Sequence, residues 1–181
     1  MAASSSTVSS GNNNYYYNVF INHRGPDVKK TFASHLYQCL LSYGLRIFLD
    51  QPELKWGDDL TPHIKYVIRS ASVHVAIFNA GYVESSWCLN ELLQMLDSKA
   101  PIIPVFYHVP YELRWMRARR EFKGTNGIYG EPLEKLEEKT MCDPQTHEQQ
   151  LRYDPSTVEK WRNALSRVAE ICGFELDACN G

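Results

Sequence analysis

No C-x-x-C pair, no H-x-x-x-H pair and no G-x-G-x-x-G or G-K-[ST] run occurs anywhere in the 181 residues. The first two absences argue against a zinc site, so no metal is expected. The third removes the common phosphate-cradling loops of nucleotide binders. The five cysteines (Cys39, Cys88, Cys142, Cys172 and Cys179) are odd in number. They suggest no disulfide framework, which reads as reduced thiols and a cytoplasmic protein. Charge of one sign is also lacking: the net value is −2 and the two signs are interspersed. Neither nucleic acid nor a membrane surface is an expected partner. No apolar run approaches the roughly 18 residues of a membrane span. The opening "MAASSSTVSSGNNNYYY" has neither the basic nor the apolar region of a secretory signal. No internal repeat is visible.

What is present suffices for one compact domain. Hydrophobic residues make up 44% of the chain, enough for a core without disulfides or metals. Residues 1–14, rich in Ser, Asn and Gly, read as a disordered leader. The domain is expected over 15–176, with a short tail at 177–181.

From Tyr16 onward, short β-branched or aromatic runs alternate with longer amphipathic ones. Strands are predicted at "YNVFIN" (17–22), "LRIFLD" (45–50), "VHVAIFN" (73–79) and "PIIPVFYHV" (101–109), the last weakened by Pro104. A helix is predicted over 27–44, capped by Asp27, stopped by Gly44, and buried along Val28, Phe32, Leu36, Cys39, Leu40 and Tyr43. Others are predicted near 60–70 (Leu60, Ile64, Val67, Ile68) and over 156–173. The latter buries Val158, Trp161, Leu165, Val168 and Cys172 and ends at Gly173. Within 110–155 only "EPLEKLEEK" has helical spacing. Nearly all-apolar strands alternating with helices predict an α/β fold: a flavodoxin-like doubly wound parallel sheet in a three-layer α/β/α arrangement. Ligands of such sheets sit outside the carboxyl ends of the strands, here the loops at 22–27, 50–59, 79–87 and 108–113.

The first loop, "NHRGPD", offers Arg24 for a phosphate or carboxylate and Gly25 for close backbone approach; an ordinary turn with a solvated arginine is the alternative. His23, beside Arg24, is the one histidine placed to matter. The pair Asn22–His23 lacks the acidic residues that a phosphoacceptor receiver needs after strand one. The second loop carries Trp56, Gly57, Asp58 and Asp59, where the indole either docks on a ligand or partner or packs locally.

The third loop leads into "ESSWCLNELL", a helix opening. Spacing at about 100° per residue gathers Met95, Cys88, Leu92, Leu96 and Leu93 on the main apolar arc and sets Glu91 at its margin. Two readings stand: a half-buried functional carboxylate, or a boundary glutamate favoured by the helix dipole.

Taken together, "VFINHRGPDVKKTFASHLYQCL", "FLD" with the following "GDDL", "SSWCLNEL" and "IIPVFYHV" resemble a plant Toll/interleukin-1 receptor (TIR) domain. The likeness is close over 16–113 and returns in the "WRNAL" helix, while 110–155 matches poorly. With no second domain in the sequence, the chain is similar to TIR-only proteins of the plant immune type. The resemblance implies an NAD+ glycohydrolase or ADP-ribosyl cyclase, releasing nicotinamide and giving ADP-ribose or a cyclic isomer as an immune or cell-death signal. It makes Glu91 catalytic and places Ser85, Trp87, Arg24, Gly25 and His23 at the substrate. It makes the loop containing Trp56, Gly57 and Asp58 an assembly element. NAD+ is then a substrate, no cofactor is expected, and the partners are further copies of the chain or other TIR proteins. The alternative is a non-catalytic adaptor working through TIR–TIR contacts.

Two segments depart from the usual family pattern. The first loop reads N-H-R-G-P-D where many members read S-F-R-G-E-D, and the usual D-P-S-x-V-R after strand four is shortened to "VPYELR". Neither touches the Glu91 block.

Overall fold

The computed structural model describes residues 16–25, 28–49, 60–109, 129–142, 147 and 149–176. The expected leader (1–14), the tail (177–181), the cap at Asp27 and the loop with Trp56, Gly57 and Asp58 lie outside them.

Strand β1 (Val19–His23) is followed by a π-helical turn, Lys29–Ala33, that runs directly into α1 (Ser34–Ser42). Next come β2 (Ile47–Leu49), α2 (Pro62–Ser70) and β3 (Val73–Phe78). A 3-10 turn, Tyr82–Glu84, introduces α3 (Ser86–Ser98), and β4 (Ile102–Tyr107) follows. The chain continues through α4 (Gly130–Glu137), β5 (Thr140–Cys142), β6 (Gln149–Leu151), α5 (Pro155–Ala169) and β7 (Phe174–Leu176). Five parallel strands form the sheet in the order β2-β1-β3-β4-β7, and β5 and β6 form a separate antiparallel ribbon. The predicted doubly wound sheet is thus observed, with helices on both faces.

Alternation along the strands divides the core in two. Phe20, Ala76 and Phe78 pack with apolar residues of α2, α3, α4 and α5. Val19, Ile21, Val75, Ile77 and Val105 face the other way, toward Val28, Ala33 and the inner side of α1. Helix starts follow local chemistry: Thr61 accepts from the amide of Ile64 at 3.3 Å, Asp154 from that of Ser156 at 2.8 Å, and each cap is followed by a proline. Gly44 ends α1 with φ of +76°, as its position predicted.

Several expectations are corrected. The first helix carries a π turn, which adds a residue to one turn and shifts the phase of all that follow. Cys39 and Tyr43, placed inward by uniform periodicity, are therefore exposed, and Phe32, Leu36 and Leu40 are only partly covered. The last helix stops at Ala169, leaving Cys172 exposed in the turn beyond it. Gly173 belongs to that turn: a Cβ there would lie 2.5 Å from the carbonyl oxygen of Pro104. Pro104 itself sits well inside the sheet. Pro101 offers its carbonyl to His74 on β3, so by alternation the nitrogen of Pro104 faces β7, whose ladder begins only at Val105. No ladder bond is lost. The "EPLEKLEEK" spacing is realised as α4. The β5–β6 ribbon and β7 had no forecast. Every residue of the ribbon is exposed, so it carries no alternating burial to read.

Candidate active site

At the carboxyl end of β1, Asn22 points to the face occupied by α3, because it shares the parity of Phe20. Glu91, in the second turn of α3, meets it there: the Asn22 amide Nδ2 donates to Glu91 Oε2 at 2.6 Å. The indole Nε1 of Trp87, one turn earlier, donates to the other oxygen, Oε1, at 2.7 Å. Glu91 is only 1% exposed. A carboxylate this deep is stable only when its oxygens are hydrogen-bonded, and here both are.

A third layer supports this pair. The phenol of Tyr82, from the 3-10 turn, donates to Oδ1 of Asn22. Burial, chiefly, pushes the Tyr82 phenol well above its ordinary range, and the nearby Glu91 carboxylate pushes it the same way. It stays protonated and acts as a donor. The Cys88 thiol donates to the carbonyl of His23 at 3.3 Å, tying α3 to β1. Tyr129, at the start of α4, donates to the carbonyl of Asn79 at 2.9 Å, and burial raises its phenol as well.

The side chain of Ser85 is the N-cap of α3, its oxygen accepting from the amide of Cys88 at 3.2 Å. Its hydroxyl proton remains available to a ligand. Gly25 has φ of +87°, a conformation that favours glycine, with open space where a Cβ would stand. Arg24 does not turn to Glu91. Its Nη2 lies 2.8 Å from Oε2 of Glu84, and its guanidinium lies over Gly81, where a Cβ would come within 2.0 Å of Nη1. His23 is buried, but its odd parity sends the ring to the opposite face of β1 from Glu91.

The structure therefore joins Glu91 and Trp87, gives Ser85 a capping role, sets Arg24 beside Glu84, and separates His23 from the carboxylate. The helical wheel misplaced Glu91. The buried arc of α3 contains Trp87, Glu91, Met95, Cys88, Leu92 and Leu89, whereas Leu93 and Leu96 are only partly covered. The departure from the usual family loop at Asn22, expected to leave the Glu91 block untouched, instead bonds the Glu91 carboxylate, and Tyr82 carried no expectation. An amide closing the apolar run "VFI" on the parity of Phe20 was the available signal. Among the described residues no cluster of three or more His, Cys, Asp or Glu could hold a metal, and no helix is long and apolar enough to cross a membrane.

The family model described as TIR domain matches residues 16–181. A Brachypodium distachyon protein named "Probable 2' cyclic ADP-D-ribose synthase BdTIR" is 33% identical over 163 residues, covering 90% of this chain and 61% of its own. An Arabidopsis thaliana "TIR domain-containing protein" is 32% identical, over 86% of this chain and 58% of its own. The Nicotiana glutinosa "TMV resistance protein N" is 30% identical over 86% of this chain, which amounts to 12% of that protein. The chain thus spans about three fifths of the first relative and much less of the resistance protein. The solved TIR domains of the activated Roq1 resistosome superpose with a TM-score of 0.68 at 32% identity, covering 88% of this chain and 87% of that one.

Proposed function

This chain belongs to the TIR domain family, and we propose that it cleaves the nicotinamide–ribose bond of NAD+ with Glu91 as its catalytic residue. The observation that carries this reading is the buried carboxylate of Glu91, held at both oxygens by Trp87 and Asn22 beside the carboxyl end of β1. Open α/β sheets bind ligands at that edge.

One carboxylate is enough for this chemistry. Most glycosidases need a second, protonated acid because the leaving oxygen would otherwise depart as an alkoxide. Nicotinamide departs from a cationic pyridinium as a neutral base and takes no proton. What is needed is a fixed negative charge against the oxocarbenium character developing on the ribose, stronger where water is excluded. Trp87 and Asn22 keep the carboxylate in one orientation, so little reorganisation is required as that charge appears. Capture of the ribosyl centre by water gives ADP-ribose; capture by a hydroxyl of the same molecule gives a cyclic isomer. The name of the Brachypodium relative supports the cyclic outcome, and the plant resistance relatives support an immune signal.

Arg24 and the Ser85 hydroxyl are suited to the diphosphate and ribose. We further propose that the chain self-associates through TIR–TIR contacts, with the Trp56–Gly57–Asp58 segment taking part, and acts in the cytoplasm. The Roq1 resistosome likeness supports assembly.

The test is NAD+ consumption by concentrated protein, wild type beside Glu91→Ala, with products resolved by mass. Turnover by the wild type that is lost in a folded variant is the expected result. Equal turnover in both would remove Glu91 from the chemistry, and no turnover in either would leave a non-catalytic adaptor.

A further inference from the structure

We propose that Asn22 is a positioning residue for Glu91, the middle member of a one-directional hydrogen-bond relay from Tyr82 through Asn22 to the carboxylate. This rests on the reading of Glu91 as the catalytic group. Its basis is a buried amide that neither caps an element nor pairs with backbone partners beyond a long contact to the Cys88 carbonyl at 3.4 Å.

The direction of the relay follows from chemistry. An ionised carboxylate only accepts, so the Asn22 amide must present Nδ2 to Glu91 and Oδ1 to Tyr82. The Oδ1 then needs a donor, which the Tyr82 phenol supplies. Each donor in the chain points toward Glu91, and each bond polarises the next. Trp87 completes the set from the other side. Burial opposes a charge on Glu91, while hydrogen bonds to the anion favour it; the relay supplies the second effect.

The relay also spans three elements, the end of β1, the 3-10 turn and the second turn of α3, which Cys88 ties together as well through its thiol and its carbonyl. Displacement of the 3-10 turn would therefore be felt at the carboxylate. Three other groups stand nearby. The Cys88 thiol is engaged with the His23 carbonyl, Tyr129 with the Asn79 carbonyl, and the Arg24–Glu84 pair is half exposed. Burial keeps both phenols protonated through the neutral range, so neither titrates where the Glu91 limb is read. The His23 ring lies across the sheet from Glu91.

Two measurements test the relay. Protein labelled with 13C at glutamate side chains, wild type and Glu91→Gln compared to assign the Glu91 signal, gives its titration midpoint without any turnover. Asn22→Leu, similar in volume, is expected to raise that midpoint by about one to two pH units, the scale of a lost hydrogen bond to a charged group. Tyr82→Phe is expected to raise it by less. In NAD+ turnover, Asn22→Leu should lower kcat about 10- to 100-fold with KM little changed, and shift the acid limb of the pH profile in step with the NMR midpoint. Asn22→Asp places a like charge against Glu91 and should raise the midpoint further, while Asn22→Gln should restore part of the loss.

An unmoved midpoint in folded Asn22→Leu overturns the proposal. So does a loss of activity expressed mainly in KM with the acid limb in place. Should Asn22→Leu fail to fold, Tyr82→Phe carries the same readings. A wild type that turns over no NAD+ would sink the enzymatic reading alone, because the NMR midpoints still decide the relay.

Discussion

Trp87 and Glu91 lie one helical turn apart on α3, joined by a 2.7 Å hydrogen bond from indole to carboxylate. The tryptophan is thus more than an apolar plug. Its ring excludes water from the carboxylate, and its N–H fixes one of the two oxygens. Trp87→Phe keeps most of the ring and removes the donor. We expect kcat for NAD+ cleavage to fall about 10- to 100-fold, the value of a hydrogen bond to a charged acceptor. Steady-state kinetics alongside a thermal melt would check this, and an unchanged kcat would reduce Trp87 to a packing role.

Ser85 caps α3, and its proposed contact with substrate is separable from that cap. Loss of the cap in Ser85→Ala should cost about 1 kcal/mol of stability. Ser85→Asp should restore the cap but not the turnover, since a carboxylate has no proton to offer and repels the substrate phosphates. Urea unfolding and NAD+ kinetics on the two variants distinguish the cap from the proposed contact. Full activity in Ser85→Asp would leave Ser85 as a cap and nothing more.

Arg24 is held by Glu84 over Gly81 rather than extended toward solvent. If Arg24 takes a phosphate of NAD+, as proposed, that phosphate competes with the Glu84 carboxylate. Glu84→Gln is therefore expected to lower KM for NAD+ a few-fold at constant kcat. Stability should change by no more than about 0.5 kcal/mol, because the pair is solvent-exposed. Gly81→Ala should push the guanidinium aside without breaking the fold, the obstructing atom being the end of a flexible side chain. A raised KM in Glu84→Gln would mean that the pair presents Arg24 to substrate instead of withholding it.

His74, on β3, donates from Nε2 to the carbonyl of Ile68 at 2.9 Å, and burial lowers its pKa below the ordinary 6.5. Below that value the unfolded chain binds the proton more readily than the folded one. The stability His74 contributes is present above about pH 6.5 and is lost as pH falls through the depressed folded value. Urea midpoints at pH 7.5 and 5.5 should differ more for wild type than for His74→Gln. Equal differences would assign the acid sensitivity to other groups.

Much of this molecule was legible in advance because its signals are local. The apolar runs at β1, β3 and β4, the proline-led starts of α2 and α5, and the glycine closing α1 each depend on a few neighbouring residues. The "SSWCLNEL" block left Glu91 as either a functional carboxylate or a boundary glutamate, and the resemblance favoured the first. What failed depended on distant contacts or on departures from regular geometry. The π turn rotated Cys39 and Tyr43 out to solvent, and an exposed ribbon gave no burial pattern to follow.

The sequence by itself determined the order of strands and helices, and with it a parallel sheet whose carboxyl edge gathers the loops around Arg24 and Ser85. Only the tertiary structure decided that Glu91 lies inside. A wheel counts the apolar residues of one helix, but burial is set by what covers it: β1 and the 3-10 turn close over the side of α3 that carries Trp87 and Glu91. Strand alternation likewise chose Asn22 over its neighbour His23 as the partner of the carboxylate. Such a contact joins residues 69 positions apart, and no local spacing encodes it.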